Sequence, residues 1–163
     1  MRWVLLAVLL VACAVDDRVV EMIEPVVPLK AGDVDTLARV LWGEARGEGR
    51  AGLEAVAWVV VNRVRQPGTR FPDTISGVCR QPFQFSCLNK SDPNAKRCAA
   101  VSEADPTFLA ALSVATDVLS GRVPDPVGGA QYYFVSNMKD PPNWRKAMQL
   151  KAKIGAHSFY WEP

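Results

Sequence analysis

Leu37-Ala38-Arg39-Val40-Leu41-Trp42-Gly43-Glu44-Ala45-Arg46-Gly47-Glu48 decides the reading of this chain. At helical spacing the apolar stripe runs Leu37, Val40, Leu41, and the next position on that face is Glu44. Residues three and four apart share a helix face, so Glu44 lies over Val40 and Leu41, where a core residue is expected. Gly47 and Gly49 then end the helix. Desolvation and the negative end of the helix dipole both favour a protonated carboxyl, so the pKa of Glu44 is expected to rise. A carboxyl that keeps its proton near neutral pH is suited to general acid catalysis. Glu48 is a second candidate, although Gly47 interrupts the helix that would align the two carboxylates.

The chain around this stretch has 163 residues, enough for one domain with a real core. Hydrophobic residues at 49% and charged residues at 22% give a globular profile. A formal charge of +2, with basic residues scattered, argues against nucleic acid as a partner. The only histidine is His157. That excludes two-histidine zinc sites and the HExxH pattern, so no metal and no cofactor are expected. Nothing near His157 in sequence supplies a nucleophile, and it reads as structural. Acid–base work by carboxylates is the economical chemistry left.

Residues 1–13 combine a positive start, an apolar run from Val4 to Ala12, and Cys13. The run is well below the ~20 residues that span a bilayer and reads as a secretory signal. Leu10-Val11-Ala12-Cys13 also resembles the lipobox of bacterial lipoproteins, which makes Cys13 the candidate lipidation site and the membrane a partner through that lipid. Residues 14–32 read as a tether or an extended segment laid on the domain, and residues 33–163 as the domain itself. Cys79, Cys87 and Cys98 remain. An exported protein can hold disulfides. Cys87–Cys98 would tie off the polar loop between them, with Cys79–Cys87 as the competitor. The spacings lack a CxxC knuckle.

Asp33 is the expected N-cap of the first helix. A second helix, 51–64, is apolar on most sides and should be central. Residues 71–78 read as a turn and short helix. Gln81 to Cys87 alternates polar and aromatic residues, which predicts a strand or hairpin arm. Residues 89–97 read as a polar loop. A third long helix should run from Pro106 to Ser120, with Gly121 at its C′ position. Tyr132–Val135 and His157–Trp161 read as strands, and Trp144 falls in a proline-rich loop. The fold class is mainly α (α+β), with a short β-hairpin and small C-terminal strands.

Six segments in order carry a resemblance. They are Leu41-Trp42-Gly43-Glu44-Ala45-Arg46-Gly47-Glu48; Ala55 to Val64; Phe71-Pro72-Asp73-Thr74-Ile75; Gln84-Phe85-Ser86-Cys87; Gly128 to Phe134; and Ile154 to Tyr160. Together they are similar to the SleB-type cell-wall hydrolases, over about Val34 to Tyr160. The resemblance implies a lysozyme-like helical domain acting on the glycan strands of peptidoglycan. The family's catalytic glutamate falls on Glu44, and the best-studied members look like lytic transglycosylases.

With such a substrate, Gln84 and Ser86 are expected to share a strand face suited to sugar binding. Of the adjacent pair Tyr132 and Tyr133, Tyr132 is favoured for the cleft, and Trp144 is a candidate sugar platform. Asn62 should satisfy buried backbone. Two alternatives stand beside the transglycosylase: a hydrolysing muramidase or glucosaminidase, and an envelope lipoprotein that binds peptidoglycan without cutting it. The expected location is the periplasm or cell envelope, and the expected state a monomer.

Overall fold

The computed structural model describes residues 24–66, 70–89 and 91–163. Residues 1–23, with Cys13 and the signal reading, lie outside them. Three long helices make the core: α1 (Asp33–Ala45), α2 (Gly49–Val64) and, after two six-residue helices α3 (Ile75–Arg80) and α4 (Ala95–Ala100), α5 (Pro106–Leu119). All three pack against one another. Then comes a three-stranded antiparallel sheet of β1 (Tyr132–Val135), β2 (Gln149–Ile154) and β3 (His157–Trp161), in the order β1-β3-β2. The mainly helical class with small C-terminal strands is as the sequence predicts.

Helix α2 is buried on nearly every side from Ala55 to Val64, which fits its all-round apolar sequence. Asn62, the polar exception, donates to Asp125 Oδ2 at 3.1 Å and to the Ala130 carbonyl at 3.2 Å. Helix α5 starts where Asp105 accepts from the Thr107 and Phe108 amides, with Pro106 in the first turn. It stops at Gly121, whose φ of +79° is the left-handed C′ conformation that glycine tolerates. The Val26 amide donates to the Leu119 carbonyl at 3.0 Å, and Val27 is buried.

Four expectations are corrected. Asp33 is the first residue of α1 rather than its cap, and Gly32 at φ +85° precedes it. Its carboxylate accepts from the Lys30 amide and from Ser76, which ties α1 to α3. Gln81–Cys87 forms no strand. Pro82 lacks an amide hydrogen and Phe83 sits at φ +63°, so the segment turns and ends in a 3-10 turn, Ser86–Leu88. The stretch 89–97 read as a polar loop turns helical at Ala95, where α4 begins. The first strand of the hairpin, β2, follows a 3-10 turn at Asn143–Ala147 and went unanticipated.

Strand parity places side chains on two faces. Tyr133, His157 and Phe159 cluster on one: Tyr133 stacks on Phe159 at 5.7 Å and meets the His157 ring edge-on at 5.3 Å. Tyr132, Phe134 and Tyr160 occupy the other, with Trp144 laid across them.

Candidate active site

Glu44 occupies the last turn of α1, half-buried between that helix, the Ser86–Leu88 turn and the sheet. The Tyr133 hydroxyl donates to its Oε2 at 3.3 Å. The amide and hydroxyl of Ser86 favour the charged form of the same carboxyl. Oε1 is buried and has no hydrogen-bond partner among the described residues. Burial pushes the carboxyl above the usual glutamate range; the bond from Tyr133 and the polar groups of Ser86 oppose that shift, and the charge of Asp92 adds to it. A proton on Oε1 therefore faces no protein acceptor.

The approach of the 3-10 turn to α1 depends on Gly43. A Cβ there would lie 2.4 Å from Cys87 Sγ, so only glycine lets the turn carry Ser86 up to Glu44. Beside it, Cys87 and Cys98 stand together as thiols, both directed at the Arg39 carbonyl at 3.8 and 3.5 Å. The neighbouring Cys98 sulfur pushes the Cys87 thiol above the usual thiol range, and Cys87 holds Cys98 below it. Cys79 is a free, buried thiol, and burial pushes it up to about 12. Among the described residues no group of three or more His, Cys, Asp or Glu side chains could hold a metal ion.

The other expected site residues scatter. Glu48 is not on the face of Glu44, because α1 ends at Ala45. Its Oε2 accepts from the Ala156 amide at 2.7 Å, at the turn between β2 and β3, and lies 4.0 Å from His157 Nδ1. Gln84 and Ser86 are both exposed, and of the two only Ser86 acts on Glu44. Tyr132 is on the sheet face opposite Tyr133 and donates to Glu162 at 2.7 Å. Trp144 packs edge-on against Phe134 and Tyr160 on that same face.

Three contributors were missed. Tyr133 was the other member of a flagged pair, separated from Tyr132 only by strand parity. Asp92, the carboxylate whose charge reaches Glu44, lay in a segment read as a plain loop. Arg63 is buried at the end of α2, donating to the Gln131 carbonyl at 2.8 Å and lying over the rings of Phe71 and Phe85. An arginine on the most apolar helix was the available signal.

A half-buried carboxyl with a raised pKa, held between a helical core and a small sheet, is an arrangement suited to general acid catalysis. The chain belongs to the cell wall hydrolase family, whose model matches residues 47–160 and so begins beyond Glu44. It is 34% identical over 127 residues to a spore cortex-lytic enzyme of Halalkalibacterium halodurans, and 36% identical over 131 residues to one of Oceanobacillus iheyensis. Each match takes in 78% of this chain but only 34% and 41% of the relative's length. Among solved structures, the catalytic domain of the Bacillus cereus SleB protein aligns with a TM-score of 0.66 at 31% identity, over 83% of this chain and 96% of that one. The catalytic domain of the germination-specific lytic transglycosylase SleB from Bacillus anthracis aligns with a TM-score of 0.65, also at 31% identity, over 83% and 100%. The fold is that of the lysozyme-like SleB catalytic domain.

Proposed function

We propose that this domain cuts the glycan strand of peptidoglycan as a lytic transglycosylase, with Glu44 as acid and then base. The observation that carries the reading is the Glu44 carboxyl itself: it is raised in pKa by burial, held at Oε2 by Tyr133, and bare at Oε1. Membership of the cell wall hydrolase family supports the substrate class.

In the first step Glu44 gives its proton to the bridging oxygen, and the bond from that oxygen to the sugar's anomeric carbon breaks. The resulting carboxylate takes the proton of the same sugar's 6-hydroxyl, whose oxygen bonds to the anomeric carbon and closes a 1,6-anhydro ring. Glu44 ends protonated, no water is consumed, and one carboxyl suffices. Hydrolysis would require a second group to activate water. Asp92 is a second carboxylate whose charge acts on Glu44, while Glu48 is held at the hairpin.

Peptidoglycan lies outside the cytoplasmic membrane, so the proposal includes export, with Cys13 as a lipid attachment point and the folded domain working as a monomer. Among the described residues no helix is long and apolar enough to cross a membrane.

Mass spectrometry of muropeptides released from purified walls tests the reaction. Products one water lighter than reducing-end muropeptides, lost with Glu44→Gln, are expected, with a fall of about 10²–10⁴ in rate for removal of the acid. Reducing ends would turn the assignment to hydrolysis. Walls bound by both forms but cut by neither would leave a binding protein.

A further inference from the structure

The second acid of the opening motif is not left idle by its distance from the first. We propose that Glu48 is a positioning residue for Glu44, acting by clamping the β2–β3 hairpin so that the sheet holds Tyr133 against the acid. The inference rests on Glu44 being the working acid.

Glu48 sits in the three-residue connection between α1 and α2, the point where the two core helices meet. Its amide donates to the Ala45 carbonyl at 2.9 Å, which fixes its backbone to the end of α1. Its side chain then crosses to the hairpin. Oε2 accepts from the Ala156 amide at 2.7 Å, 108 residues away in sequence. Both ends of that crossing are shaped for it. A Cβ on Gly155 would fall 2.2 Å from Oε2, and one on Gly52 would fall 2.2 Å from the Glu48 Cβ. Gly52 and Gly155 thus leave room for the Glu48 side chain where it lies, and a side chain at 155 would displace its carboxylate.

The clamp leads to the acid by a short path of contacts. Ala156 precedes His157, the first residue of β3, whose Nδ1 is 4.0 Å from Glu48 Oε2 and has no hydrogen-bond partner among the described residues. The His157 ring meets Tyr133 edge-on at 5.3 Å. Tyr133 in turn donates to Glu44 Oε2 at 3.3 Å. Phe159, on the same strand as His157, is fully buried in the core, so a fixed hairpin corner restricts where the Tyr133 hydroxyl can lie. With Oε2 spent on a backbone amide, Glu48 serves as an acceptor rather than as a base for substrate.

The acceptor role and the base role separate under substitution. Glu48→Gln keeps a carbonyl oxygen for the Ala156 amide and removes the charge; Glu48→Ala removes both. The clamp predicts that Glu48→Gln retains activity within about threefold. It predicts that Glu48→Ala loses about 10²-fold, in kcat more than in KM, as for a misplaced catalytic group. A readout independent of the reaction is the carbon-13 titration of the Glu44 side-chain carboxyl. The groups facing it are Tyr133, Ser86, Asp92 and the Cys87–Cys98 pair. The bond from Tyr133 lowers its titration point, so Glu48→Ala should move that point upward. Tyr133→Phe should do the same, and the double variant should move it no further.

Glu48→Gln as inactive as Glu44→Gln would overturn the clamp in favour of a second catalytic carboxylate. A Glu44 titration unmoved in Glu48→Ala, with only a lowered melting temperature, would overturn it in favour of plain scaffolding. Should the alanine variant fail to fold, Glu48→Asp, one methylene too short to reach Ala156, gives the same comparison. Because the titration needs no substrate, it stays informative if the transglycosylase reading fails.

Discussion

The Tyr133 hydroxyl reaches the carboxyl of Glu44 at 3.3 Å, across the seam between the sheet and the end of α1. Burial pushes the tyrosine well above its usual range, so it stays protonated and donates to the oxygen it faces. Tyr133→Phe removes a bond that lowers the pKa of Glu44, and Asp92→Asn removes a charge that raises it. The alkaline limb of kcat/KM, where the acid loses its proton, should therefore move up in the first variant and down in the second. Shifts of the same sign in both would contradict the electrostatic assignment. The phenylalanine variant should also lose about 1 kcal/mol of stability with the hydrogen bond.

Glu44 is held at a cost to the fold. Its folded-state pKa lies above its unfolded value, so the folded state binds the proton more tightly and stability falls as pH rises through that interval. Below the unfolded value both states are protonated and the penalty vanishes. Glu44→Gln should accordingly be more stable than the parent at pH 7, by about 1 kcal/mol. The gain should disappear near pH 4. Thermal melts at the two pH values measure this directly, and an equal difference at both would show that ionisation is not its source.

Gly43→Ala places a methyl group 2.4 Å from Cys87 Sγ. The Ser86–Leu88 turn must move away from α1, and with it the polar groups of Ser86 that favour the charged form of Glu44. Overpacking of this kind costs about 1–3 kcal/mol, and activity should fall further than the stability loss explains. Denaturant unfolding beside activity on walls separates the two.

The neighbouring thiols of Cys87 and Cys98 are set to exchange with an oxidised dithiol or with oxidised glutathione. Their two hydrogens and two electrons pass to that disulfide and one bond forms between the sulfurs. Peptide mapping after mild oxidation should find Cys87 joined to Cys98, with stability raised by about 3 kcal/mol for a loop of this length. Cys79, buried with its thiol pushed up to about 12, should stay unmodified by alkylating reagents in the native protein. Labelling of Cys79 at the rate of a free thiol would count against this packing.

The acid was legible because helical periodicity is set by the backbone: Leu37, Val40 and Leu41 define a face, and Glu44 interrupts it with the wrong chemistry for a core. Its partner was not, because β1 carries aromatic residues on both faces and its own pattern cannot say which one meets the helices. The Gln81–Cys87 alternation misled for a local reason. Pro82 and Phe83 impose a turn that the polar–apolar period does not register. Strand β2 was readable, since Gln149 to Ile154 alternates strictly, but proline-rich surroundings masked it. Glu48 could be flagged as a carboxylate near Glu44, yet its partner is the Ala156 amide, and a backbone group leaves no trace in a side-chain pattern.

The seating of Val26 and Val27 beside the last residue of α5 sets where the domain is mechanically gripped. A pull on the chain ahead of Glu24 meets the folded body first at Leu119, and neither Tyr133 nor Ser86 stands at that junction. Tension borne by the leading segment is thus taken up at the end of a core helix, leaving the acid's two supports unloaded. A fragment trimmed past Val27 would give up this grip and uncover part of the interior.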